Sequence, residues 1–267
     1  MAAKDQGYVD AGGLRTYYEV EGAGDPVVLL HGGLTTIETF GGLTPTLAQH
    51  YRVYLPERRG HGRTPDVDGP ITYEIMAQDT IAFMTAVGLP SAHVIGWSDG
   101  AVVGLLVALH RPDLVRKLVL IGQAVNQDGM PPDVIEMTKL DKMPDVLPPM
   151  LREMYAAVSP DGPEHWDVVV AKVWQMIRTE PNIELVELAK VVAPTLIMLG
   201  DHDMLTVEHA AAMQRSLPDS QLAVVPGATH GLPMEKPEVV SRLLLDFLGA
   251  EATEVVASDR GPSVESS

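Results

Sequence analysis

The stretch of residues 93–103 is the feature that most constrains how this chain folds. A short β-branched run leads into the pentapeptide Gly-Trp-Ser-Asp-Gly at 96–100, and an apolar run long enough for a buried helix follows it. This pattern predicts a strand, a sharp turn and a helix, with Ser98 at the apex of the turn. The two glycines would relieve the crowding of such a turn because they have no Cβ. We therefore expect the Ser98 hydroxyl to be lifted above the sheet.

Apolar runs on both sides of this turn predict an α/β fold. Residues 14–22 alternate and predict an early antiparallel strand, whereas continuous apolar runs predict strands buried on both faces. Runs of this kind occur at 26–30, before Gly96, at 117–121 and at 194–199, and further strands are predicted at 51–55 and 221–225. Helices are predicted from Thr35 or Thr36 to about Gln49, from Thr72 to near Gly88, behind Ser98, over 207–217 and from Pro237. The alternation predicts a mostly parallel sheet with right-handed crossovers and helices on both faces.

The alternation of strands and helices breaks within residues 124–190, where no buried strand run occurs. We interpret this segment as a helical cap, or lid, inserted over the sheet edge at which the strands end. Residues 1–123 and 191–251 then form one core domain. Residues 252–267 are Ser-rich and without periodicity, which predicts a flexible C-terminal tail.

Composition excludes several classes of partner. The net charge is −17, from 36 acidic and 19 basic residues, which argues against nucleic acid and anionic membranes. No apolar run reaches the length that spans a membrane. The N-terminal residues lack the apolar core of a signal peptide, and the chain has no cysteine. These features fit a cytoplasmic protein, and they leave open whether it is a monomer or a homodimer.

A serine hydroxyl needs a base to take its proton, and the base needs an acid to orient it. His230 lies between the last predicted strand and the last helix, which makes it the best candidate for the base among nine histidines. Asp203 follows the strand that ends at Leu199, at the same sheet edge, and Asp201 is the competing acid. We disfavour reading residues 201–203 as a metal cluster, because consecutive side chains in an extended turn point in different directions. No metal is therefore expected.

A tetrahedral intermediate at Ser98 would need two backbone N–H donors. The residue after the nucleophile, Asp99, would supply one of them. The loop after the first buried strand would supply the other, from Gly33 or Leu34. The glycine there would also permit close approach of the backbone to a substrate.

The chain resembles the α/β-hydrolase superfamily over residues 14–250. The resemblance rests on His31-Gly32-Gly33, Arg59-Gly60-His61-Gly62, the pentapeptide at 96–100, Gly200-x-x-Asp203 and Gly227-x-x-His230. It implies a Ser-His-Asp catalytic triad, an oxyanion hole, a helical lid and no cofactor. The form Gly-Trp-Ser-Asp-Gly looks like the valacyclovirase-like branch of small serine esterases. One departure is Glu57, since relatives usually carry Asp after the preceding proline; it concerns the geometry of the turn.

The cap offers the main indication of a substrate. Its methionine and tryptophan side chains could line an adaptable apolar pocket, although most of them are better read as ordinary cap core. They are Met130, Met137, Met143, Met150, Met154, Met176, Trp166 and Trp174. Asp99 could attract a cationic group, as the branch resemblance suggests, or only stabilise the turn and the helix N-terminus. The predicted substrate-binding residues are Leu34, Trp97, Asp99, Met130, Met137, Met150, Met154 and Trp174.

Together these expectations describe a serine hydrolase of carboxylic esters or lactones of a small, largely apolar molecule. Relatives that cleave carbon–halogen bonds or epoxides use aspartate as nucleophile, so Ser98 favours acyl chemistry. The same three residues also serve hydrolytic C–C cleavage and perhydrolysis, and the sequence does not separate these. A function of another class, a small-molecule receptor with slow turnover, remains an alternative.

Overall fold

A computed structural model describes residues 5–143 and 147–249. The predicted tail, residues 252–267, and the last two residues of the predicted core domain lie outside the described residues. One sheet of eight strands contains every strand of the described ranges, in the order β1-β2-β4-β3-β5-β6-β7-β8. The strands are β1 (Asp5–Ala11), β2 (Leu14–Gly22), β3 (Pro26–Leu30), β4 (Arg52–Pro56), β5 (Ala92–Trp97), β6 (Val115–Ile121), β7 (Thr195–His202) and β8 (Ser220–Thr229).

The sheet is parallel except at one side, where β2 pairs antiparallel with both β1 and β4. The remaining pairs are parallel, so the carboxyl ends of β3 and β5 to β8 meet at one edge. The predicted fold class, a mostly parallel sheet with helices on both faces, is confirmed. The α-helices are α1 (Thr44–Leu47), α2 (Tyr73–Ala86), α3 (Asp99–His110), α4 (Pro132–Thr138), α5 (Pro149–Val158), α6 (Trp166–Thr179), α7 (Val207–Ser216), α8 (Leu232–Glu235) and α9 (Pro237–Gly249).

Successive side chains of the central strands enter different cores, as the two-residue period of a strand requires. In β3, Val28 and Leu30 pack into the core beneath α2, α3 and α7, while Val27 and Leu29 pack into the core beneath α1 and α9. All four side chains have no exposed surface. This double burial explains why the central strands are continuous apolar runs in the sequence.

The predicted helix from Thr35 or Thr36 to Gln49 is wrong. That region contains a 3₁₀-helix at Ile37–Phe40 and the single-turn helix α1, separated by Gly41 and Gly42. Two consecutive glycines disfavour a continuous helix because they lose the most backbone entropy on ordering.

The helix predicted from Thr72 is confirmed as α2. The Thr72 hydroxyl accepts the Ile75 N–H at 3.1 Å, which satisfies one of the free donors at the start of the helix. Strand β1 is an addition that the sequence analysis missed, because its side chains are mostly exposed or half-buried and form no apolar run.

Between β6 and β7 the described residues form α4, α5, α6 and three 3₁₀-helices, with no strand. We call residues 124–190 the cap. Two of its buried side chains, Trp166 and Val169, belong to the same apolar core as α2 and α3. Across residues 5–143 and 147–249, no helix combines the length and the apolar character needed to cross a membrane.

Candidate active site

The turn between β5 and α3 has the geometry that its glycines require. Ser98 has φ 54° and ψ −127°, a conformation that L-residues rarely adopt. A Cβ on Gly96 would lie 2.1 Å from the carbonyl oxygen of Gly100, and one on Gly100 would lie 2.0 Å from that of Leu30. Any side chain at either position would therefore collide with backbone. The strained turn places the Ser98 hydroxyl at the N-terminus of α3, at the carboxyl edge of the sheet.

Ser98, His230 and Asp203 form one hydrogen-bonded chain. His230 Nε2 lies 2.9 Å from Ser98 Oγ, and His230 Nδ1 lies 2.8 Å from Asp203 Oδ1. The Asp203 side chain is fully buried and also accepts the backbone N–H groups of Met204 at 2.7 Å and Gly200 at 3.2 Å. These bonds fix the carboxylate, so the imidazole can present Nε2 as an acceptor to the Ser98 hydroxyl.

The structure separates the two candidate acids. Asp201 turns away from His230 and accepts the backbone N–H of Ala228 at 3.2 Å. The side chain of His202, between the two acids, is 75% exposed. The three consecutive side chains therefore diverge, and no group of three or more metal-type ligands occurs within the described ranges.

Trp97 was predicted to contact substrate, and the structure corrects this prediction. Its ring is buried against Gly32, where an added Cβ would lie 2.7 Å from the indole. Its Nε1–H donates to the backbone carbonyl of His230 at 2.8 Å, and the two rings lie 5.5 Å apart. Trp97 therefore supports the histidine from beneath and does not line the cavity.

Leu34 and Ser98 are the two non-glycine residues with positive φ in the described part of the chain. Leu34, with φ 55°, lies in the loop after β3 that was predicted to supply an N–H donor. A Cβ on its neighbour Gly33 would lie 2.1 Å from Asp99 Oδ2. The loop after β3 and the turn after β5 thus meet in close contact beside the Ser98 hydroxyl, where the predicted donors of Gly33, Leu34 and Asp99 are located.

A cavity of about 200 Å³ opens onto Ser98 and His230. Four predicted substrate-binding residues line it: Leu34, Asp99, Met137 and Trp174. Seven others, from the cap or beside Asp203, line it too. One of them, Met143, is among the cap methionines named above as candidate lining, and the sequence analysis missed the other six. Of these six, Val173 and Ile177 share one face of α6 with helical spacing. The seven are Val134, Thr138, Met143, Leu147, Val173, Ile177 and Met204.

Three predicted pocket methionines lie outside the lining. Met130 packs against the main core, Met150 is 58% exposed and Met154 is half-buried on α5. The pattern of methionines did not show which helix face meets the cavity, since that depends on how the short cap helices pack.

Asp99 is a buried carboxylate in the wall of the cavity. It is 4% exposed, its Oδ1 accepts the Tyr73 hydroxyl at 2.7 Å, and its Oδ2 has no hydrogen-bond partner among the described residues. Burial, together with the charge of Asp99, holds the pKa of Tyr73 well above its usual value, so the phenol remains a donor. The unpartnered oxygen is the one that lies against Gly33.

A buried guanidinium balances this carboxylate. Arg58 is 4% exposed; desolvation lowers its pKa, while the charge of Asp99 acts to raise it. Its Nη2 donates to the His31 carbonyl at 2.6 Å, and its backbone N–H donates to His31 Nε2 at 3.2 Å. Burial holds the pKa of His31 well below its usual value, so the ring is neutral and can accept. Arg58 therefore bonds the loop after β3 and interacts electrostatically with the Asp99 carboxylate.

Glu57, the departure from the expected aspartate, stabilises the turn that follows β4. It is fully buried and accepts Arg63 Nη1 at 2.6 Å and the Arg63 backbone N–H. Its carboxylate fills the space beside Gly62, where a Cβ would lie 2.2 Å away. It is not among the residues that line the cavity.

Several known proteins similar to this chain are hydrolases, and their substrates differ. Residues 27–243 match the alpha/beta hydrolase family. The putative carbamate hydrolase RutD of Azorhizobium caulinodans is 26% identical over 91% of this chain and 98% of its own length. The 2-hydroxy-6-oxo-6-(2'-aminophenyl)hexa-2,4-dienoic acid hydrolase of Metapseudomonas resinovorans is 28% identical over 92% and 91%. A crystal structure of a serine hydrolase involved in carbazole degradation has a TM-score of 0.76 and 27% identity, covering 92% of this chain and 99% of that one.

Proposed function

The chain belongs to the alpha/beta hydrolase family, and we propose that it is a serine hydrolase that cleaves carboxylic esters or lactones of a small, largely apolar molecule. The observation that carries this proposal is the hydrogen-bonded chain from Ser98 Oγ through His230 to Asp203, with distances of 2.9 Å and 2.8 Å, at the opening of an apolar cavity. This arrangement activates a serine for attack on an acyl carbon. It requires no cofactor.

In the acylation step, Ser98 Oγ attacks the acyl carbon while His230 Nε2 takes the hydroxyl proton. The carbonyl electron pair moves onto oxygen, and the backbone N–H groups of Asp99 and of Gly33 or Leu34 stabilise the resulting oxyanion. Collapse of this intermediate expels the alcohol oxygen, which receives the proton from the imidazolium. Asp203 stabilises the charged ring and keeps its orientation.

In the deacylation step, His230 takes a proton from water, and the hydroxide attacks the acyl-enzyme. The second tetrahedral intermediate collapses, and Ser98 regains the proton from the imidazolium. With an ester the products are an alcohol and an acid. With a lactone they are the two ends of one hydroxy acid.

The lining of the cavity limits the substrate. A volume of about 200 Å³ lies below the usual range for drug-sized ligands, which favours a small substrate. None of the described lining residues is Lys or Arg, and the buried group is the carboxylate of Asp99. A carboxylate-bearing substrate would be desolvated beside a like charge, which is unfavourable. We propose neutral esters, or esters that carry a cationic amine close to Asp99, as substrates.

The second candidate is hydrolytic C–C cleavage, since a relative is named as hydrolase of a dienoic acid. Such an acid carries a carboxylate, and the absence of a cationic side chain from the described lining disfavours it. Perhydrolysis would use the same three residues. A receptor with slow turnover would retain them too, but it would release product once or very slowly.

The test is multiple-turnover hydrolysis of 4-nitrophenyl esters of increasing acyl length, with wild type beside Ser98→Ala. Loss of the nucleophile should lower kcat on the order of 10⁴-fold or more while the thermal unfolding temperature stays near that of wild type. Ser91→Ala, at the opposite end of β5, is the matched control and should keep full activity. A wild type that gives a single burst, or a Ser98→Ala variant as active as wild type, would contradict the proposal.

A further inference from the structure

A small cavity lies between the base of the cap and the core, separate from the proposed substrate cavity. Its core side is formed by Leu34, Thr35 and the loop at Gly60–Gly62, and its cap side by Tyr155 of α5 with Trp166 and Val169 of α6. It leaves room for about one water molecule. Leu34 forms part of the wall of both cavities.

His61 presents a buried acceptor to this cavity. The ring is 2% exposed, and its Nδ1 lies 2.8 Å from the Arg59 carbonyl, so Nδ1 carries the proton and donates. Nε2 is then an acceptor, and it has no hydrogen-bond partner among the described residues. Burial and the nearby charge of Arg58 lower the pKa of His61 to about 3, so the ring stays neutral in the neutral pH range.

Tyr155 presents a buried donor from the opposite side. The side chain is 3% exposed, and its ring packs on Trp166 with the centroids 5.4 Å apart. The Ser159 hydroxyl lies near the Tyr155 hydroxyl and acts to lower its pKa, but no described residue forms a hydrogen bond of good geometry with it. Burial raises the pKa of Tyr155, so the hydroxyl keeps its proton. A buried polar atom without a partner costs free energy, and two of complementary type at one cavity indicate a shared partner.

We infer that this cavity is a binding site for one water molecule, which donates to His61 Nε2, accepts from the Tyr155 hydroxyl and so joins α5 of the cap to the loop after β4. The Thr35 hydroxyl, which donates to the Gly32 carbonyl at 2.9 Å, also lines the cavity and keeps a free lone pair for the water's second proton. Buried waters typically make about three such bonds. This site is independent of the proposed ester hydrolysis.

The water would add to a neighbouring set of contacts between the cap and the core, which Asp66 makes. Asp66, with a side chain 5% exposed, accepts His165 Nε2 at 2.8 Å and Lys172 Nζ at 2.6 Å, both from the cap. The ion pairs of Asp66 bind His165 and α6 to the core, and the water would bind α5 to it through Tyr155 and His61. These contacts restrict the motion of this part of the cap where it packs on Leu34, whose strained backbone lies at the substrate cavity.

A crystal structure at about 1.5 Å resolution tests the site directly. We expect one ordered water within about 2.7–3.2 Å of both His61 Nε2 and Tyr155 Oη. A cavity without density would overturn the proposal, as would a direct hydrogen bond of the Tyr155 hydroxyl to Ser159 or to another protein atom.

A double-mutant cycle tests it in solution. Tyr155→Phe and His61→Asn, whose amide can still donate to the Arg59 carbonyl, should each lower the folding equilibrium constant about 5- to 100-fold. Because both remove the same water, the double variant should lose at least about 5-fold less than the product of the two effects. Effects that simply multiply would overturn the bridge. Ser91→Ala, combined with Tyr155→Phe, is the control and should show no coupling, because Ser91 bonds Arg116 and does not line the cavity.

Discussion

Replacing Asp99 by Asn isolates the charge in the wall of the cavity. The substitution keeps the size of the side chain, and its Oδ1 can still accept the Tyr73 hydroxyl, which lies 2.7 Å away. The backbone N–H of residue 99, a proposed oxyanion donor, is unchanged. The change is at the unpartnered Oδ2, which is replaced by an amide NH2 group that can only donate.

The expected effect depends on the charge of the substrate. A protonated amine about 5 Å from the carboxylate gains about 3 kcal/mol at an effective dielectric constant of about 20. Desolvation of the amine offsets part of this gain, so removing the charge should lower kcat/KM for a cationic ester about 10- to 100-fold. A neutral ester loses no such attraction. Its oxyanion would form beside a neutral amide in place of a carboxylate, so its kcat/KM should stay the same or rise.

The benzyl esters of L-valine and of 3-methylbutanoic acid are a matched pair, because they differ only by the ammonium group. Their kcat/KM values are compared for wild type and Asp99→Asn at about pH 6.5, where an α-amino group is largely protonated. Asp133→Asn, an exposed carboxylate on α4, matches the change in net charge and should leave the ratio between the two esters unchanged. An equal loss on both esters in the Asp99 variant would refute the reasoning.

Three further predictions test the acid, the backbone and the ionisation of the core. Asp203→Asn should lower kcat about 10³- to 10⁴-fold with little change in KM, whereas Asp201→Asn should change kcat less than about 3-fold; similar losses in both would reassign the acid. Gly122 has φ 66°, and a Cβ there would lie 3.0 Å from the buried Asp203 carboxylate, so Gly122→Ala should lower kcat about 100-fold. Gly162 has φ 85° but open space around it, so Gly162→Ala should lower only the unfolding temperature. Burial lowers the pKa of His61 to about 3 from about 6.5 in the unfolded chain, so the unfolded state binds more protons between these values and stability falls as the pH is lowered. In urea unfolding, His61→Gln should reduce that fall by about 1.4 kcal/mol per pH unit; an unchanged slope would contradict the assignment of a buried, neutral ring.

The core of the fold was predictable because its signal is local. A strand buried on both faces reads as an apolar run, and β3 and the buried parts of β5, β6 and β7 show such runs. Strand β1 lacks this signal, because its position comes from pairing with β2 and not from burial. The helix predicted across Gly41 and Gly42 failed for the opposite reason: a local backbone preference outweighed an apolar pattern.

The residues of the candidate site also fall into those with a local sequence signal and those placed by packing alone. The proximity of Ser98, Asp203 and His230 was predictable because each follows a strand, and the carboxyl ends of parallel strands meet at one edge. The groups that surround Asp99 gave no signal of this kind. Arg58 comes from a loop and Tyr73 from the start of a helix. The packing of α2 against α3 brings Tyr73 to Asp99, while bonds to His31 and Met76 hold the Arg58 guanidinium. The face of each short cap helix that meets the cavity depends on packing too, which explains why Met150 and Met154 were misplaced.

Two sources of negative charge act on a substrate of this protein, and they act at different distances. The net charge of −17 is spread over the surface, where salt screens it within about 8 Å, so it selects weakly among small substrates. The carboxylate of Asp99 lies beside a largely apolar cavity, where screening is weak, and its free oxygen is buried against Gly33. Buried Arg58 offsets the cost of this charge for the folded protein. Arg58 is not among the lining residues, whereas Asp99 is, so a substrate in the cavity lies closer to the carboxylate than to the guanidinium. Discrimination against anionic acids should accordingly persist at high salt, whereas any effect of the surface charge on association should disappear.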